Sequence, residues 1–355
     1  MTESIVVKVG TSSVTTRSGD IDRAVLRSVA TDVAEARRQG YDVVLVTSGA
    51  ITAGWAAVGE GRPRPQDSRT LQAVSAVGQP LLMDAWREAF SKVGLTVGQV
   101  LLAPHDFADR SQYLHARGTL ESLRELGVVS IVNENDAIAD EEIRFGDNDR
   151  LAALVAGLIG ATRLILLTDT AGLLTGDPRL DPTATLVEEV TTFDDELLAL
   201  ASGSSSGVGS GGMASKLSAA RMGQWLGVTT VIAPAREERV LSRVLGREVG
   251  LGTLVHPRPD RLSARKAWIA FALPSAAAIT VNEGAARAIQ GDGRSLLSVG
   301  AVETSGDFAA GEAVDVLNVE GVRIAKGVVR ASWLGRDDVD VLIHRDELVI
   351  LEETA

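Results

Sequence analysis

Several residue types are scarce or missing from this 355-residue chain, and each gap removes a class of function. Cysteine is absent, which excludes disulfide bonds, thiolate metal sites and cysteine nucleophiles. The few histidines have no metal-ligand spacing, so we interpret them as surface or structural residues. They are His105, His115, His256 and His344.

An excess of positive charge is also missing. The formal net charge is −12, which disfavours binding to nucleic acids and to anionic membranes. The first residues, MTESIVVKVG, have neither the basic region nor the apolar core of a signal peptide, and no apolar segment is long enough to cross a membrane. These absences favour a cytoplasmic protein, and the length allows two domains.

Short β-branched runs alternate with longer helical patterns over the first three-quarters of the chain. The helical pattern is clear from Ile21 to Gln39, with Gly40 as the predicted stop. This alternation predicts an α/β fold with a mainly parallel sheet sandwiched by helices. The candidate strands are SIVVKVG, DVVLVTSGA, VGQVLLA, VVSIVNE, RLILLTD and TTVIAP.

A change in residue composition and pattern divides the chain into two parts. The run HPRPDRLSARKAW is rich in proline and arginine, so residues 258–277 are predicted to form a linker. Short strand patterns and glycine turns then predict a small, mostly β domain over residues 278–355. The larger α/β domain is predicted over residues 1–257.

Polar clusters follow four of the candidate strands. They lie at Lys8–Ser12, Thr47–Ala50, Asn133–Asp136 and Thr168–Asp169. Ligands bind at the carboxyl ends of strands in parallel sheets, so these clusters predict a binding site at one edge of the sheet.

The lysine and glycine after the first strand are a candidate phosphate site. Gly10 lets backbone N–H groups approach phosphate oxygens, and Lys8 supplies positive charge. Ser48 and Gly49 open a helix, where backbone amides suit a carboxylate or phosphate. The loop after Asp169 is a candidate contact for a base or ribose. Ordinary turns and a serine helix cap remain the alternatives at these positions.

The stretch GVGSGGMASK fits the letters G-x-G-x-x-G at Gly207, Gly209 and Gly212, but no strand precedes it as a dinucleotide fold requires. A flexible linker is the alternative. The glycines run directly into a helix with Lys216 in its first turn. A lysine there is unfavourable for the helix dipole unless an anion binds, which favours phosphate binding.

The stretch NENDAIADEEIRFGDNDR, residues 133–150, is dense in carboxylates and amides. These side chains alone leave open whether it holds a metal ion, another cation or only water.

Five stretches together resemble the amino-acid kinase family. They are VVKVGTSSVT, VVLVTSGAITAG, IVNENDAIADEEIRFGDNDRLAALVA, LLTDTAGLLTGDPR and SGVGSGGMASKLSAA. The tail, from ITVNEGAARAI through SGDFAAGEAVDV, resembles a PUA domain, so the resemblance covers nearly the whole chain. Ser210 departs from the threonine common in the family but keeps the hydroxyl group.

The resemblance is strongest to members that phosphorylate glutamate. It implies ATP-dependent phosphorylation of the side-chain carboxylate of L-glutamate to glutamyl 5-phosphate, the first step of proline synthesis. It also implies Mg²⁺, feedback inhibition by proline and a homo-oligomer, either a dimer or a tetramer. Transfer of the product to glutamyl phosphate reductase is a further expectation.

The resemblance also assigns roles to residues. Lys8, Lys216 and Asp149 are the expected catalytic residues, and no protein metal ligand is expected. The expected glutamate-binding residues are Ser48, Gly49, Asp136 and Asn148. The expected ATP-binding residues are Lys8, Gly10, Thr11, Thr168, Asp169, Ser210, Gly211, Gly212, Met213, Ala214, Ser215 and Lys216.

The chemistry of these side chains suggests which contact each one makes. Asp136 is expected to pair with the α-amine, while Asn148 and Ser48 donate hydrogen bonds to carboxylates. Asp149 is expected to orient Lys8 and Lys216. Residues 133–150 are therefore expected to hold the substrate ammonium group and the two lysines rather than a metal ion. Residues 140–142, all acidic, are expected to form a solvated loop.

Other functions remain open from the sequence. Aspartate, N-acetylglutamate, carbamate and UMP are alternative acceptors on the same scaffold, although the acidic groups suit an unblocked amine. PUA domains commonly bind RNA, but the tail has twice as many acidic as basic residues. The interpretation as an NAD-dependent oxidoreductase is supported only by the G-x-G-x-x-G spacing.

Overall fold

The computed structural model describes residues 3–16, 18–138, 148–176, 181–194, 197, 200 and 212–351. The chain divides into two compact units, Met1–Arg261 and Leu262–Ala355. No helix among the described residues is long and apolar enough to cross a membrane.

The first unit is built on an eight-stranded sheet with the order β3-β4-β2-β1-β5-β7-β8-β6. All neighbouring pairs are parallel except β7 and β8. The strands are β1 (Glu3–Val9), β2 (Tyr41–Thr47), β3 (Val97–Leu102), β4 (Val129–Glu134), β5 (Arg163–Thr168), β6 (Glu189–Val190), β7 (Thr229–Pro234) and β8 (Thr253–Val255).

All six predicted strands are confirmed, and so is the mainly parallel α/β fold. The sequence did not indicate β6 and β8, which have only two and three residues. Such short strands carry too few residues for an alternating pattern.

The helices of this unit begin and end where the sequence provides caps. The carboxylates of Asp22, Asp67 and Asp109 accept backbone N–H groups at the starts of α2, α4 and α6. The helix α2 ends at Arg38, just before the predicted stop. The helices are α1 (Thr11–Val14), α2 (Arg23–Arg38), α3 (Ala50–Val58), α4 (Ser68–Ser91), α5 (Pro104–Ala108), α6 (Arg110–Glu125), α7 (Asn148–Ile159), α8 (Met213–Leu226) and α9 (Val240–Leu245).

The two faces of β1 contact different helices. Ile5, Val7 and Val9 belong to a buried core cluster with residues of α2, α4 and α9. Because side chains alternate along a strand, Lys8 points to the opposite face. The helix α7 contacts β1 and also packs against α8. Lys8 is therefore on the face that receives α7 and α8.

The helices α3 and α4 pack very closely through glycine. A Cβ atom at Gly78 of α4 would lie 1.7 Å from the carbonyl oxygen of Ala50, and one at Gly54 of α3 would lie 2.0 Å from that of Val74. Only glycine permits this approach, which fixes the start of α3 at the edge of the sheet.

The second unit contains a five-stranded sheet with the order β11-β9-β12-β13-β15 and a separate pair, β10 and β14. It includes two short helices, α10 (Ala264–Ala267) and α11 (Glu283–Asp292), and a π-helical turn at Trp268–Ala272. Its strands are β9 (Ser275–Val281), β10 (Leu296–Leu297), β11 (Ala301–Ser305), β12 (Ala313–Leu317), β13 (Arg323–Val328), β14 (Val341–Ile343) and β15 (Leu348–Ile350). Helix α10, the π turn and the first residues of β9 fall within residues 258–277, where the sequence predicted a linker.

Candidate active site

The polar clusters identified in the sequence lie at the ends of neighbouring strands. In the sheet, β4, β2, β1 and β5 lie side by side and run in the same direction. Val9 is in register with Thr47 on one side and with Leu167 on the other. The carboxyl ends of these four strands therefore bring the predicted polar residues to one edge of the sheet.

A buried carboxylate joins two lysines at this edge. Lys8 Nζ lies 2.6 Å from Asp149 Oδ1, and Lys216 Nζ lies 3.0 Å from Asp149 Oδ2. The Asp149 side chain is fully buried, and both lysine side chains are less than 8% exposed. The contact of Asp149 with both lysines, expected from the sequence, is present; its part in catalysis remains a prediction.

This arrangement determines the ionisation of Asp149. Burial would raise the pKa of its carboxyl, but the charges and hydrogen bonds of Lys8 and Lys216 outweigh burial and lower the pKa to about 2. The group is therefore ionised at neutral pH. It compensates one of two closely spaced positive charges, which leaves a net positive charge in the site.

Helix α8 contributes Lys216 from its first turn. Gly212 precedes this helix in an extended conformation, without a side-chain cap. The Ser215 hydroxyl lies 3.1 Å from Asp149 Oδ2 and 2.9 Å from the Gly212 carbonyl. Met213 is half-buried and Ala214 is exposed. Ser210 and Gly211, as well as Gly207 and Gly209, lie outside the described residues.

Gly10 sits beside the amine of Lys8. A Cβ atom at this position would lie 3.6 Å from Lys8 Nζ. Gly10 also precedes the short helix α1, which begins at Thr11. On the neighbouring strand β5, Thr168 is buried and its hydroxyl donates to Asp169, which is exposed at the strand end. The structure thus places Gly10, Thr11, Thr168 and Asp169 on adjacent strand ends.

The turn from β2 to α3 contains Ser48 and Gly49. Gly49 has a φ of 107° and caps α3, and a Cβ atom there would lie 2.8 Å from Val14 Cγ2. A side chain at this position would therefore be strained in backbone conformation and in packing. Ser48 is half-buried next to it.

Asn148, at the first position of α7, is held by two hydrogen bonds. Its Nδ2 donates to the Thr47 carbonyl at 2.6 Å and to Asn133 Oδ1 at 2.7 Å. Both amide hydrogens are therefore used within the protein. In this structure neither hydrogen is left to donate to a substrate carboxylate, and the part of Asn148 in binding glutamate stays a prediction.

Two further residues that the sequence did not single out support the site. Gln79 of α4 accepts from Asn133 Nδ2 at 3.1 Å and donates to the Glu134 carbonyl at 3.0 Å. Ser75, on the same helix, donates to Asp136 Oδ2 at 3.0 Å. These partners are more than 50 residues apart in sequence. Only the polar character of residues on an otherwise buried helix face could have marked them.

No group of three or more histidine, aspartate or glutamate side chains that could hold a metal ion occurs among the described residues. The acidic residues 140–142, expected to form a solvated loop, lie outside the described residues. Three histidines have a carboxylate within 3.4 Å: His105 with Asp106, His256 with Glu189, and His344 with Asp346.

Comparison with known proteins agrees with this fold. Residues 3–230 match the model of the amino acid kinase family, and residues 277–334 match that of the PUA domain. The chain therefore belongs to the amino acid kinase family, and its second unit carries a PUA domain.

Three similar relatives within that family share one name. A glutamate 5-kinase of Azoarcus sp. is 45% identical over 98% of this chain and 97% of the relative. Another, of Nocardia farcinica, is 46% identical over 98% and 96%. A third, of Mycobacterium ulcerans, is 43% identical over the same shares.

Two solved structures share the fold. A carbamate kinase from Giardia lamblia bound to AMP-PNP has a TM-score of 0.51 and 19% identity, covering 72% of this chain and 99% of that one. A UMP kinase from Ureaplasma parvum has a TM-score of 0.51 and 14% identity, with the same coverage. The match confirms the amino-acid kinase fold predicted from the sequence.

Proposed function

We propose that this chain is a glutamate 5-kinase, which transfers the γ-phosphoryl group of ATP to the side-chain carboxylate of L-glutamate. The product is L-glutamyl 5-phosphate, and the reaction is the first step of proline synthesis. The similarity to glutamate 5-kinases over 98% of the chain supports the substrate. The single structural observation that carries the chemistry is the pair of buried lysines on Asp149.

The reaction requires positioning and charge compensation rather than a base. A glutamate carboxyl has a pKa of about 4.3, so it is already an ionised nucleophile at neutral pH. Its oxygen attacks the γ-phosphorus of ATP, the bond to the β,γ-bridging oxygen breaks, and ADP leaves. Negative charge is spread over the transferring phosphoryl group, and Lys8 and Lys216 stabilise it.

Asp149 acts on the lysines. Two ammonium groups repel each other, and the shared carboxylate holds them close together without cancelling both charges. With both oxygens of Asp149 held by lysines, this carboxylate is not a free metal ligand. Mg²⁺ accordingly enters as part of the Mg–ATP substrate, held by phosphate oxygens and water.

ATP lies along the ends of β1 and β5 and the start of α8. Its phosphates contact Lys8, Gly10, Thr11 and the stretch from Ser210 to Lys216, and its nucleoside contacts Thr168 and Asp169. The start of α8 supports this placement. Gly212 precedes the helix in an extended conformation, and a helix N-terminus with a lysine in its first turn favours a bound anion.

Glutamate lies at the ends of β2 and β4. Ser48, Gly49, Asp136 and Asn148 form its site, next to the lysines because Asn148 directly precedes Asp149 in α7. The Ser48 hydroxyl and the backbone at the start of α3 bind a carboxylate, and Asp136 pairs with the α-ammonium group.

The remaining features of the proposal concern the whole protein. Residues 1–257 carry the kinase chemistry, and residues 278–355 form the PUA domain. The enzyme is a cytoplasmic homo-oligomer, a dimer or tetramer, that proline inhibits. It passes its product to glutamyl phosphate reductase.

ATP-dependent acyl-hydroxamate formation tests the proposal directly. Hydroxylamine traps the acyl phosphate, and glutamate, aspartate and N-acetylglutamate are compared in parallel, each with and without proline. Turnover of glutamate alone is the expected result, with suppression by proline. Turnover of another acid would overturn the substrate, and turnover that proline leaves unchanged would overturn the regulation.

A further inference from the structure

The amide of Asn148 has one polar atom left for a ligand. Its two N–H groups donate to the Thr47 carbonyl and to Asn133 Oδ1. What remains is Oδ1, which can only accept. In the described part of the chain, this oxygen receives no hydrogen bond.

Contacts with backbone groups identify the nitrogen and the oxygen of every amide in this network. The Thr47 carbonyl can only accept, so the atom of Asn148 facing it is nitrogen. The Glu134 N–H can only donate, so the atom of Asn133 facing it, at 3.0 Å, is oxygen. The Glu134 carbonyl fixes Gln79 in the same way, because it accepts from Nε2.

The amides also fix one another. Gln79 Oε1 accepts from Asn133 Nδ2, and Asn133 Oδ1 accepts from Asn148 Nδ2. All three residues are less than 10% exposed, so water does not readily replace these partners. Turning the Asn148 amide over would place its oxygen against the Thr47 carbonyl oxygen at 2.6 Å.

We propose that Asn148 Oδ1 accepts a hydrogen bond from the α-ammonium group of the substrate, and that Gln79 is a positioning residue that maintains this orientation through Asn133. The inference rests on the proposed function and specifies how that site selects its substrate class. An oriented acceptor attracts a free ammonium group and repels a carboxylate. Asp136, which Ser75 holds by a hydrogen bond, supplies a second acceptor.

The site therefore selects amino acids with an unblocked α-ammonium group over dicarboxylic acids that lack it. Glutarate, which is glutamate without the amine, is the matched probe. In the wild-type enzyme, we expect glutarate to inhibit glutamate phosphorylation with an inhibition constant at least tenfold above the glutamate KM. Equal affinity for the two acids would overturn the proposal without any variant.

Asn148→Ala separates an ammonium contact from a carboxylate contact. The glutamate KM is expected to rise about 10–100-fold, the size of a charged hydrogen bond. The inhibition constant of glutarate is expected to stay nearly unchanged. Equal weakening of both acids would mean that Asn148 contacts a carboxylate, which would refute the assignment.

Gln79→Met tests the positioning role. We expect the same selective rise in the glutamate KM, smaller than for Asn148→Ala, with little change in kcat. Gln224→Met is the matched control, because Gln224 is another buried glutamine, which donates to the carbonyls of Thr191 and His256.

Gln224→Met should lower the melting temperature and leave the ratio of glutamate to glutarate affinity unchanged. If Gln79→Met behaves in the same way, its role is structural only and the positioning proposal fails. Failure of the proposed function looks different: the wild-type enzyme would not phosphorylate glutamate at all. Glutamate turnover combined with unselective variants refutes only the inference about Asn148.

Discussion

Lys8 and Lys216 bind opposite oxygens of the same carboxylate, although one lies near the end of β1 and the other in the first turn of α8. Asp149 is fully buried between them. Opposite charge lowers the pKa of Asp149 despite its burial, so the three groups behave as one unit with a net charge of +1. Changes at any one of them should therefore affect the other two.

Removing either lysine should slow phosphoryl transfer. Lys8→Ala and Lys216→Ala are each expected to lower kcat by about 10²–10³-fold, the usual effect of deleting an oriented charge stabiliser. Steady-state hydroxamate kinetics measure the change, and circular dichroism verifies folding. Lys92→Ala is the control, because Lys92 pairs with Glu88 at the surface. Near-normal turnover in a folded lysine variant would exclude that lysine from the mechanism.

Asp149→Asn should alter the response of stability to acid. The pKa of Asp149 is lowered from 3.8 to about 2 in the folded protein, so its ionised form stabilises the fold above about pH 4. This contribution, roughly 2 kcal/mol, is lost as the pH falls from about 4 to about 2.

The variant lacks that contribution, so its unfolding free energy should be lower at pH 7 and should fall less between pH 4 and pH 2. Urea titrations at several pH values measure both effects. Parallel curves for the two proteins over this interval would contradict the assigned pKa.

Gly78→Ala should disrupt the packing of α3 on α4. The added methyl group would overlap the Ala50 carbonyl, so we expect a loss of stability of at least about 1–3 kcal/mol. Because Ala50 follows Gly49, the glutamate KM should rise as well. Gly118→Ala is the matched control, since Gly118 lies in α6 with no atom within 4 Å of an added Cβ. That change should stabilise the protein by roughly 0.5–1 kcal/mol, and thermal melts compare the two.

Ser75→Ala should weaken glutamate binding without affecting ATP. The variant removes the hydroxyl that donates to Asp136, which leaves that carboxylate less firmly placed. A rise of about threefold to tenfold in the glutamate KM is expected, as for the loss of one hydrogen bond. The ATP KM serves as the internal control. An equal rise in both KM values would indicate a general structural defect.

The sequence predicted the parallel sheet and the edge at which the site lies, because both depend on local patterns. Strand β1 and its lysine were recognisable from β-branched residues followed by glycine. Two kinds of feature could not be predicted. The strands β6 and β8 are too short to carry a pattern, and contacts between distant segments leave no local trace.

Gln79 illustrates the second kind. In the sequence it is a polar residue before a proline, and nothing near it indicates Asn133 or Glu134 as partners. The same reason explains why the sequence did not show how the Asn148 amide is bonded. The sequence shows no partner for its amide, whereas in the fold both amide hydrogens form hydrogen bonds that join α7 to β2 and β4.

The adjacency of Asn148 and Asp149 limits how the enzyme could be redesigned. In the proposed mechanism, one residue binds the acceptor and the next holds the phosphoryl-transfer lysines, so a larger side chain at position 148 would disturb both functions. Positions on β4 and α4, such as Asn133 and Gln79, belong to the amide network that ends at Asn148. An engineer who wants a different acceptor should therefore vary those two positions first and leave the first turn of α7 unchanged.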